Sequence, residues 1–321
     1  MGGILIGLKP EAFTSEQMAR LCTLAGDREV FLATDEVEQR RVIDSIEIAA
    51  ARIKRDITFA APNLRWFQQW NAGIDWMQRY AQNTEIRFLL TNMSGVHAIP
   101  IAEHVFGYLL AFTRWLPAAY RAQHTRQWVH PVQESEIIEL ADKTMLLVGV
   151  GAIGRRIAEI ARAFGMRVIG VRNHPERSDK NVVRMIGPNE LRTVLPDADF
   201  IVLTVPGTNE TYRMFGEAEF RAMKETAYFV NIGRGKVVDH VALERALREG
   251  WIRGAGLDVS DPEPLPEGSP LWDMENVIIT GHYAGGTSRY NERAIDIFLD
   301  NLERYVNGKE LRNVVDVKRG Y

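Results

Sequence analysis

The stretch TMLLVGVGAIGRRIAEIARAFGMRVIGVRN, residues 144–173, decides the fold. It begins with an apolar run, passes through three glycines into an amphipathic segment that Gly165 ends, and closes on a second apolar run. This order predicts a βαβ unit with parallel strands. Gly149, Gly151 and Gly154 lie in the G-x-G-x-x-G spacing at the predicted strand-to-helix turn. In that context the spacing indicates a dinucleotide-binding turn.

Each of the three glycines has its own predicted role. Gly149 would make the tight turn, Gly151 would let the backbone approach a pyrophosphate, and Gly154 would let helix and strand pack closely. The helix N-terminus would offer N–H groups and partial positive charge to the phosphates. The alternative is a tight turn that serves only the fold.

The second strand of this unit ends at Arg172 and Asn173, where NAD-binding units usually carry Asp or Glu for the ribose hydroxyls. Arginine can pair with a 2′-phosphate through two parallel hydrogen bonds, whereas a carboxylate would repel it. Asn173 could donate a further bond, and His174 lies within reach. We therefore expect NADP as the cofactor. NAD remains the alternative if Arg172 stacks on the adenine or faces solvent.

The composition is typical of a globular protein and points away from several classes of partner. A chain of 321 residues, 46% apolar and 25% charged, is long enough for two domains with buried cores. The net charge of −3 gives no reason to expect a nucleic-acid partner. The lone Cys22 cannot form an internal disulfide or a cysteine metal cluster. The histidines at 97, 104, 124 and 130 lack the usual ligand spacing, so we expect no metal.

No segment predicts a membrane or secretory role. The start, MGGILIGL, lacks the basic residues of a signal peptide and predicts a first strand. The longest strongly apolar run, VFGYLLAF at 105–112, is far shorter than the ~20 residues that a membrane span needs. We therefore expect a cytoplasmic protein that does not bind membranes.

Short apolar runs alternate with amphipathic stretches along the whole chain, which is typical of α/β layering. A first series of strands is predicted at 4–8, 30–32, 47–50, 66–69 and 88–90. A helix at 15–23 with Ser15 as its N-cap falls among them. A second series is predicted at 144–150, 167–171, 200–206, 227–233, 254–259 and 276–280. Its strands are apolar on both faces, as parallel strands covered by helices on both sides should be.

The fold class that follows is α/β, with two Rossmann-like or flavodoxin-like parallel-sheet domains and a cleft between them. The stretch 101–123 is apolar on most faces, which predicts a long helix buried between domains or between subunits. A closing helix at about 289–306 follows the second series, and the chain is expected to cross back to the first unit. The predicted domains are a discontinuous substrate-binding domain, 1–97 plus 288–321, and a dinucleotide-binding domain, 98–287.

Three further stretches place reactive side chains just beyond predicted strands. VNIGRGKVVD holds Arg234 between two glycines, and VIITGHYAGG holds His282. LDVSDPEPLP holds Asp258 at a strand end and Glu263 in a Pro-rich loop. Ligands bind at the carboxyl ends of strands in open parallel sheets, so these side chains can converge. The alternatives are a surface-loop arginine, a loop-capping glutamate and a structural histidine.

At these motifs the sequence resembles the D-isomer-specific 2-hydroxyacid dehydrogenases over nearly its whole length. Further stretches that carry the resemblance are NAGID (71–75), TNMSGVHAIPIAEHVFGYLLAFTR (91–114), LTVPGTNET (203–211), MKETAYFVNIGRG (223–235) and SPLWDMENVIIT (269–280). The resemblance implies Arg234, Glu263 and His282 as the catalytic set. It also implies that backbone N–H groups of two loops, Ala72–Gly73 and Ser94–Val96, hold the substrate carboxylate.

The resemblance implies a larger set of ligand contacts. Besides the glycine turn, Arg172 and Asn173, the expected cofactor contacts are Ala152, Ile153, Thr204, Val205, Pro206, Thr211, Ile232, Gly233, Asp258 and Gly285. The expected substrate contacts are Ala72, Gly73, Ser94, Gly95, Val96, Arg234, His282 and Tyr283. The family commonly has Pro and Ile on either side of the catalytic histidine, where this chain has Gly281 and Tyr283. Met93 and Ser94 lie in a loop where close relatives frequently have an arginine.

The implied reaction is the reduction of a small 2-oxo acid, such as glyoxylate or hydroxypyruvate, to a hydroxy acid. His282, kept protonated by Glu263, would act as the general acid, and neutral His282 would take the proton back in the reverse direction. Arg234 would hold the carboxylate and polarise the carbonyl. The family is dimeric, so a homodimer is expected. The alternative is a dinucleotide-sensing binding protein similar to the C-terminal-binding corepressors.

Overall fold

The computed structural model describes residues 2–73, 76, 86–131 and 137–316. The chain divides into two compact units, each with its own sheet. The first comprises Met1–His97 and Thr287–Tyr321, and the second comprises Ala98–Gly286.

The first unit is built on a five-stranded parallel sheet with the order β2-β1-β3-β4-β5. Strands β1 to β5 are Gly3–Gly7, Val30–Leu32, Ile46–Ala51, Trp66–Gln69 and Leu89–Thr91. Helices α1 to α3 are Ser15–Ala25, Glu36–Val42 and Arg55–Ala60. Every strand predicted for this unit is present, with its ends within one residue of the prediction.

The closing helix, Tyr290–Val306, completes the first unit. Its Phe298 stacks on Trp66 of β4, with ring centroids 5.5 Å apart. Its Asn301 is fully buried and donates a hydrogen bond of 3.0 Å to Gln68 Oε1. The helix therefore forms part of the core over the first sheet, although it follows the second series of strands in the sequence.

The N-cap of α1 is Thr14, and the prediction of Ser15 was wrong. The Thr14 hydroxyl accepts from the Gln17 N–H (3.2 Å), and the Gln17 side chain accepts from the Thr14 N–H (3.1 Å). This reciprocal pair needs Gln or Glu three residues after the cap, a spacing that Thr14 has and Ser15 lacks.

The second unit is built on a seven-stranded parallel sheet with the order β12-β11-β10-β9-β6-β7-β8. Strands β6 to β12 are Thr144–Val148, Arg167–Val171, Arg184–Ile186, Phe200–Leu203, Tyr228–Asn231, Gly254–Leu257 and Val277–Ile279. Helices α4 to α9 are Ala98–Thr113, Leu116–His124, Ala152–Ala163, Leu191–Val194, Glu217–Ala222 and His240–Arg248.

Both faces of this sheet are buried, as the apolar runs predicted. Leu146 and Val148 of β6 belong to one apolar cluster, whereas Met145 and Leu147 belong to another. Successive side chains of a strand point to opposite faces, so the clusters cover the two sides of the sheet. Most of the predicted strands extended one to three residues too far, because those last residues form the loops at the carboxyl edge. Strand β8 was not predicted.

The stretch 101–123 forms two helices, and the prediction of one long helix was wrong. The chain breaks at Trp115, which adopts the left-handed conformation with φ 61°. Pro117 lies in the first turn of α5. Proline has no amide N–H to donate within a helix, so Pro117 favours the start of a new helix here over the continuation of α4. Helix α4 is buried within the second unit, where it packs on α6 and β10.

Among the described residues, no helix combines the length and the apolar character that crossing a membrane requires.

Candidate active site

The three predicted catalytic side chains follow three neighbouring strands of the second sheet. Arg234 follows β10, Glu263 follows β11 and His282 follows β12. These strands are adjacent and parallel, so their carboxyl ends share one edge. The Nδ1 atom of His282 lies 2.5 Å from Oε1 of Glu263. The structure therefore joins two of the three groups by a direct hydrogen bond.

The hydrogen bond between His282 and Glu263 defines the roles of the two ring nitrogens. An ionised carboxylate can only accept, so the proton of this bond belongs to Nδ1 of the imidazole. Nε2 is then the nitrogen that can give a proton to a ligand or take one from it. The two side chains are 48% and 42% exposed, so a small molecule can reach the pair.

Asp258 fixes the backbone that carries His282. His282 adopts the left-handed conformation (φ 55°), which is unfavourable for residues with a side chain. Its N–H donates to the Asp258 carbonyl oxygen at 2.8 Å. The N–H groups of Tyr283 and Ala284 donate to the Asp258 carboxylate at 3.1–3.2 Å. The carboxylate, predicted as a cofactor contact, is buried and stabilises this turn.

The turn that carries Arg234 is held by Asn231, which was not among the predicted site residues. The Gly233 N–H donates to Asn231 Oδ1 (3.0 Å), and Asn231 Nδ2 donates to the Arg234 carbonyl oxygen (3.1 Å). A Cβ at Gly235 would lie 1.9 Å from the carbonyl oxygen of Ser260. The arginine turn is thus packed directly against the start of the loop that carries Glu263. A polar residue ending a buried apolar strand was the signal that could have identified Asn231.

An apolar cavity of about 210 Å³ adjoins the pair of Glu263 and His282. Its apolar walls include Leu257, Val259, Leu265, Trp272 and Ile279. Gly281 also lines the cavity, and a Cβ there would meet no atom within 4 Å.

The glycine turn has the geometry that a pyrophosphate requires. Gly149 has φ +101°, and a Cβ at Gly154 would lie 2.2 Å from the Gly149 carbonyl oxygen, so the fold itself needs glycine at both positions. A Cβ at Gly151 would meet nothing within 4 Å. Gly151 is the N-cap of α6 and provides no side-chain cap for the helix N–H groups. The open space beside this backbone fits the close approach of a phosphate.

The tip of β7 presents a guanidinium, as the sequence indicated. Arg172 is half-buried and donates from Nη1 to the Arg177 carbonyl oxygen at 3.2 Å. Asn173 is exposed, and His174 lies 3.3 Å from a carboxylate oxygen of Glu176. The described residues at this tip thus suit an anionic group on a ribose.

The remaining predicted cofactor contacts follow the same edge of the sheet. Thr204 Oγ1 donates to the Gly149 carbonyl oxygen (2.6 Å) and joins the end of β9 to the glycine turn. Thr211 Oγ1 donates to the Pro206 carbonyl oxygen (2.6 Å) and closes the loop after β9. A Cβ at Gly233 would lie 2.6 Å from the Val205 carbonyl oxygen, so the loops after β9 and β10 are in contact. The other predicted contacts at this edge are Ala152 and Ile153 in the first turn of α6, Ile232 after β10 and Gly285 after the His282 turn.

In the first unit, Asn92 connects the two loops predicted to hold a carboxylate. Its Nδ2 donates to the Ala72 carbonyl oxygen (3.0 Å), and its Oδ1 accepts from the Ser94 N–H (3.0 Å). The Val96 N–H donates to the Met93 carbonyl oxygen (3.1 Å). In the described part of this loop, no hydrogen bond is donated by the Gly95 N–H.

Met93 is fully buried in the core of the first unit, so its side chain packs among apolar residues. The loop at 71–75 continues beyond Gly73 through Ile74 and Asp75, which lie outside the described residues.

Among the described residues, no group of three or more His, Cys, Asp or Glu side chains could hold a metal ion. Two of the four histidines that the sequence analysis weighed as metal ligands instead pack on aromatic rings, one in each unit. His97 packs on Tyr290 in the first unit, and His104 packs on Tyr108 in the second.

Known proteins are similar to this chain over most of its length. Residues 106–284 match the family model described as D-isomer specific 2-hydroxyacid dehydrogenase, NAD binding domain. A glyoxylate reductase of Korarchaeum cryptofilum is 35% identical over 270 residues, which is 82% of this chain and 80% of that protein.

Two solved structures are similar in fold. A D-isomer specific 2-hydroxyacid dehydrogenase family protein from Aeromonas salmonicida has a TM-score of 0.81 and 30% identity, covering 99% of this chain and 100% of its own. An NADPH-dependent glyoxylate/hydroxypyruvate reductase from Sinorhizobium meliloti, solved with NADP and sulfate, has a TM-score of 0.79 and 27% identity, covering 100% of both chains.

Proposed function

Because this chain belongs to the D-isomer-specific 2-hydroxyacid dehydrogenase family, we propose that it reduces small 2-oxo acids to D-2-hydroxy acids with NADPH. The observation that carries the proposal is the 2.5 Å hydrogen bond between His282 Nδ1 and Glu263 Oε1 at the carboxyl edge of the second sheet. A histidine held this way keeps Nε2 available to give a proton to a substrate or to take one back.

His282 is the general acid of the proposed reduction. With Nδ1 bonded to Glu263, protonated His282 gives its Nε2 proton to the carbonyl oxygen of the substrate. The Glu263 carboxylate stabilises the imidazolium before the transfer and orients the neutral ring after it. In the oxidative direction, neutral Nε2 takes the proton from the hydroxyl group.

Arg234 binds the substrate carboxylate and polarises the carbonyl group. A guanidinium offers parallel N–H donors that match a carboxylate, and its charge stabilises the negative charge that develops on the carbonyl oxygen. The hydrogen bonds of Asn231 hold the turn that presents this side chain. In the first unit, we infer that the Gly95 N–H and the loop at Ala72–Gly73 offer backbone donors that suit a carboxylate.

The residues present fit a nicotinamide dinucleotide phosphate. Gly151 and the first N–H groups of α6 would hold the pyrophosphate, and Arg172 with Asn173 would bind the 2′-phosphate. When bound, the nicotinamide supplies the hydride. The S. meliloti reductase, which was solved with NADP, supports this choice over NAD.

We also propose that the enzyme is a cytoplasmic homodimer. Large apolar side chains are exposed on and after α5, among them Leu116, Tyr120 and Trp128, of which Trp128 is 91% exposed. Exposed apolar side chains concentrated in one region mark interaction surfaces. The lone Cys22 is compatible with a reducing compartment.

Steady-state kinetics over a panel of 2-oxo acids, each with NADPH and with NADH, tests the proposed activity. We expect turnover of glyoxylate or hydroxypyruvate, with a higher kcat/KM for NADPH. His282→Ala should lose most of this turnover while its NADPH affinity, measured by fluorescence titration, stays close to that of the wild type. His124→Ala is the matched control, because this exposed histidine at the end of α5 lies outside the proposed catalytic, cofactor-binding and substrate-binding residues. Tight dinucleotide binding without turnover of any 2-oxo acid would refute the enzymatic proposal and favour a dinucleotide-sensing protein.

A further inference from the structure

The turn that carries His282 is connected to helix α4 by a chain of polar side chains. Thr280 Oγ1 lies 2.5 Å from Asp258 Oδ1 and 2.5 Å from the Tyr108 hydroxyl. His104 Nε2 lies 3.1 Å from the same threonine oxygen. We propose that Tyr108 and His104 are positioning residues, which hold His282 in its reactive conformation through Thr280 and Asp258.

The number of protons available determines the direction of each hydrogen bond. The Asp258 carboxylate can only accept, so Thr280 donates its single hydroxyl proton to Asp258. The Thr280 oxygen then has lone pairs left and no proton, so both Tyr108 and His104 must donate to it. Hydrogen bonds in series polarise one another, so two donors on the threonine oxygen strengthen its bond to the carboxylate.

Each donor must carry a proton near pH 7 for this arrangement. Burial raises the pKa of the Tyr108 hydroxyl well above its ordinary value. Burial also lowers the pKa of His104, although the nearby Asp258 carboxylate acts in the opposite direction. The lowered pKa favours the neutral imidazole, and donation to Thr280 requires its proton to be on Nε2.

The donors on α4 are themselves held in place by packing. A Cβ at Gly256 in β11 would lie 2.7 Å from Tyr108 Cγ, so the tyrosine ring rests directly on the strand backbone. The His104 ring packs edge-to-face against Tyr108 (4.7 Å between centroids) and Tyr283 (5.6 Å). These contacts leave the two donors little freedom to turn away from Thr280.

This series of hydrogen bonds ends at the backbone of the turn that carries His282. The Asp258 carboxylate accepts from Thr280 and from the N–H groups of Tyr283 and Ala284. If Thr280 no longer donates, the carboxylate can rotate away from those N–H groups. His282 would then leave its left-handed conformation more easily, and its imidazole would move relative to Glu263.

The test combines hydrogen exchange with kinetics on full-length Tyr108→Phe and Thr280→Val. We expect the amides of residues 282–284 to exchange about 10- to 100-fold faster in Thr280→Val than in the wild type. This range corresponds to the loss of one hydrogen bond to a charged group. The acceleration should be smaller in Tyr108→Phe. Both variants should also have a lower kcat with little change in substrate KM. This kinetic expectation rests on the proposed function. Thr280→Ser keeps the hydroxyl group and should restore both exchange protection and kcat.

Matched controls separate this role from a general loss of packing. Thr113→Val removes a buried hydroxyl from the same helix as Tyr108, where it donates to the Leu109 carbonyl oxygen. Tyr228→Phe removes another buried tyrosine hydroxyl from the second unit. Neither control should alter exchange at 282–284.

The two readouts also keep the proposals distinguishable. Unchanged exchange in both Thr280→Val and Tyr108→Phe would overturn the positioning role, and so would equal acceleration in the controls. A wild-type protein without turnover refutes the proposed reductase, and exchange at 282–284 still decides the positioning role.

Discussion

Replacing Gly235 with alanine should separate the two loops that carry Arg234 and Glu263. The added Cβ would lie 1.9 Å from the Ser260 carbonyl oxygen and 2.7 Å from the Asp261 amide nitrogen. Both are backbone atoms, so rotation of a side chain cannot relieve the clash. Gly235 is also buried, which leaves the new methyl group no route to solvent.

The size of the displacement sets the expected loss of activity. Ordinary contact begins at 3.4 Å, so the two backbone segments must move apart by about 1.5 Å. A misplacement of about 1 Å in a catalytic arrangement can reduce the rate about 100-fold. We therefore expect kcat/KM to fall about 100-fold or more. Overpacking costs about 1–3 kcal/mol, and each kcal/mol lowers Tm by about 2–4 °C in a unit of this size.

The assay is steady-state reduction of the best 2-oxo acid, with Tm measured on the same preparation. Gly268→Ala is the matched control in the loop that follows Glu263, because a Cβ there meets no atom within 4 Å. It should keep both the Tm and the kcat/KM of the wild type. A Gly235→Ala variant with wild-type kcat/KM would show that the contact with Ser260 does not set the spacing of the two loops.

Four further substitutions test the cofactor site and the stability of the second unit. Gly151→Ala should raise the Kd for NADPH at least about tenfold, or ~1.4 kcal/mol, without lowering Tm. Gly154→Ala should lower Tm, because its Cβ would lie 2.2 Å from the Gly149 carbonyl oxygen. Calorimetric titration measures the Kd of each variant, and a thermal scan measures its Tm. A lower Tm in Gly151→Ala with an unchanged Tm in Gly154→Ala would contradict the assigned glycine roles. Arg172→Gln should weaken NADPH about 10- to 100-fold and NADH little, since only NADPH has the 2′-phosphate, and equal losses would argue against that contact. Burial lowers the pKa of His240 in the native state. Below about pH 6.5 the unfolded chain therefore binds a proton at this residue more readily than the native state does. The free energy of unfolding should thus decrease as the pH falls. His240→Gln should flatten this dependence in urea unfolding between pH 7.5 and 5.5, and an unchanged slope would exclude His240 as its source.

The features that the sequence predicted well are those encoded over short distances. Gly149 and Gly154 follow directly from an apolar strand entering a helix, and the structure shows a left-handed turn and a close contact at those positions. Glu263 and His282 were expected to meet because each follows a parallel strand, and the hydrogen bond between them agrees with that reasoning. The parallel order of both sheets likewise follows from two-sided apolar strands separated by helices.

Other features depend on contacts between distant residues, or on opposing local signals, that the sequence pattern alone does not resolve. Strand β8 has only three residues and begins at Arg184, so it lacks a clear apolar pattern. The break at Trp115 had a local signal in Pro117, which the continuous apolar character of the stretch outweighed. Tyr108 and Thr280 are 172 positions apart, and only the packing of α4 on β11 brings their hydroxyl groups together.

The closing helix has a consequence for how the protein is synthesised. The N-terminal sheet has all five strands once Thr91 has been made, yet Phe298, which covers Trp66, emerges only after the entire second unit. At about 5–20 residues per second, the ribosome needs roughly 10–40 s to cover this distance. During that interval the second unit can complete its own fold, while part of the apolar surface of the first sheet stays uncovered. The N-terminal unit therefore completes its core only after the second unit has been synthesised.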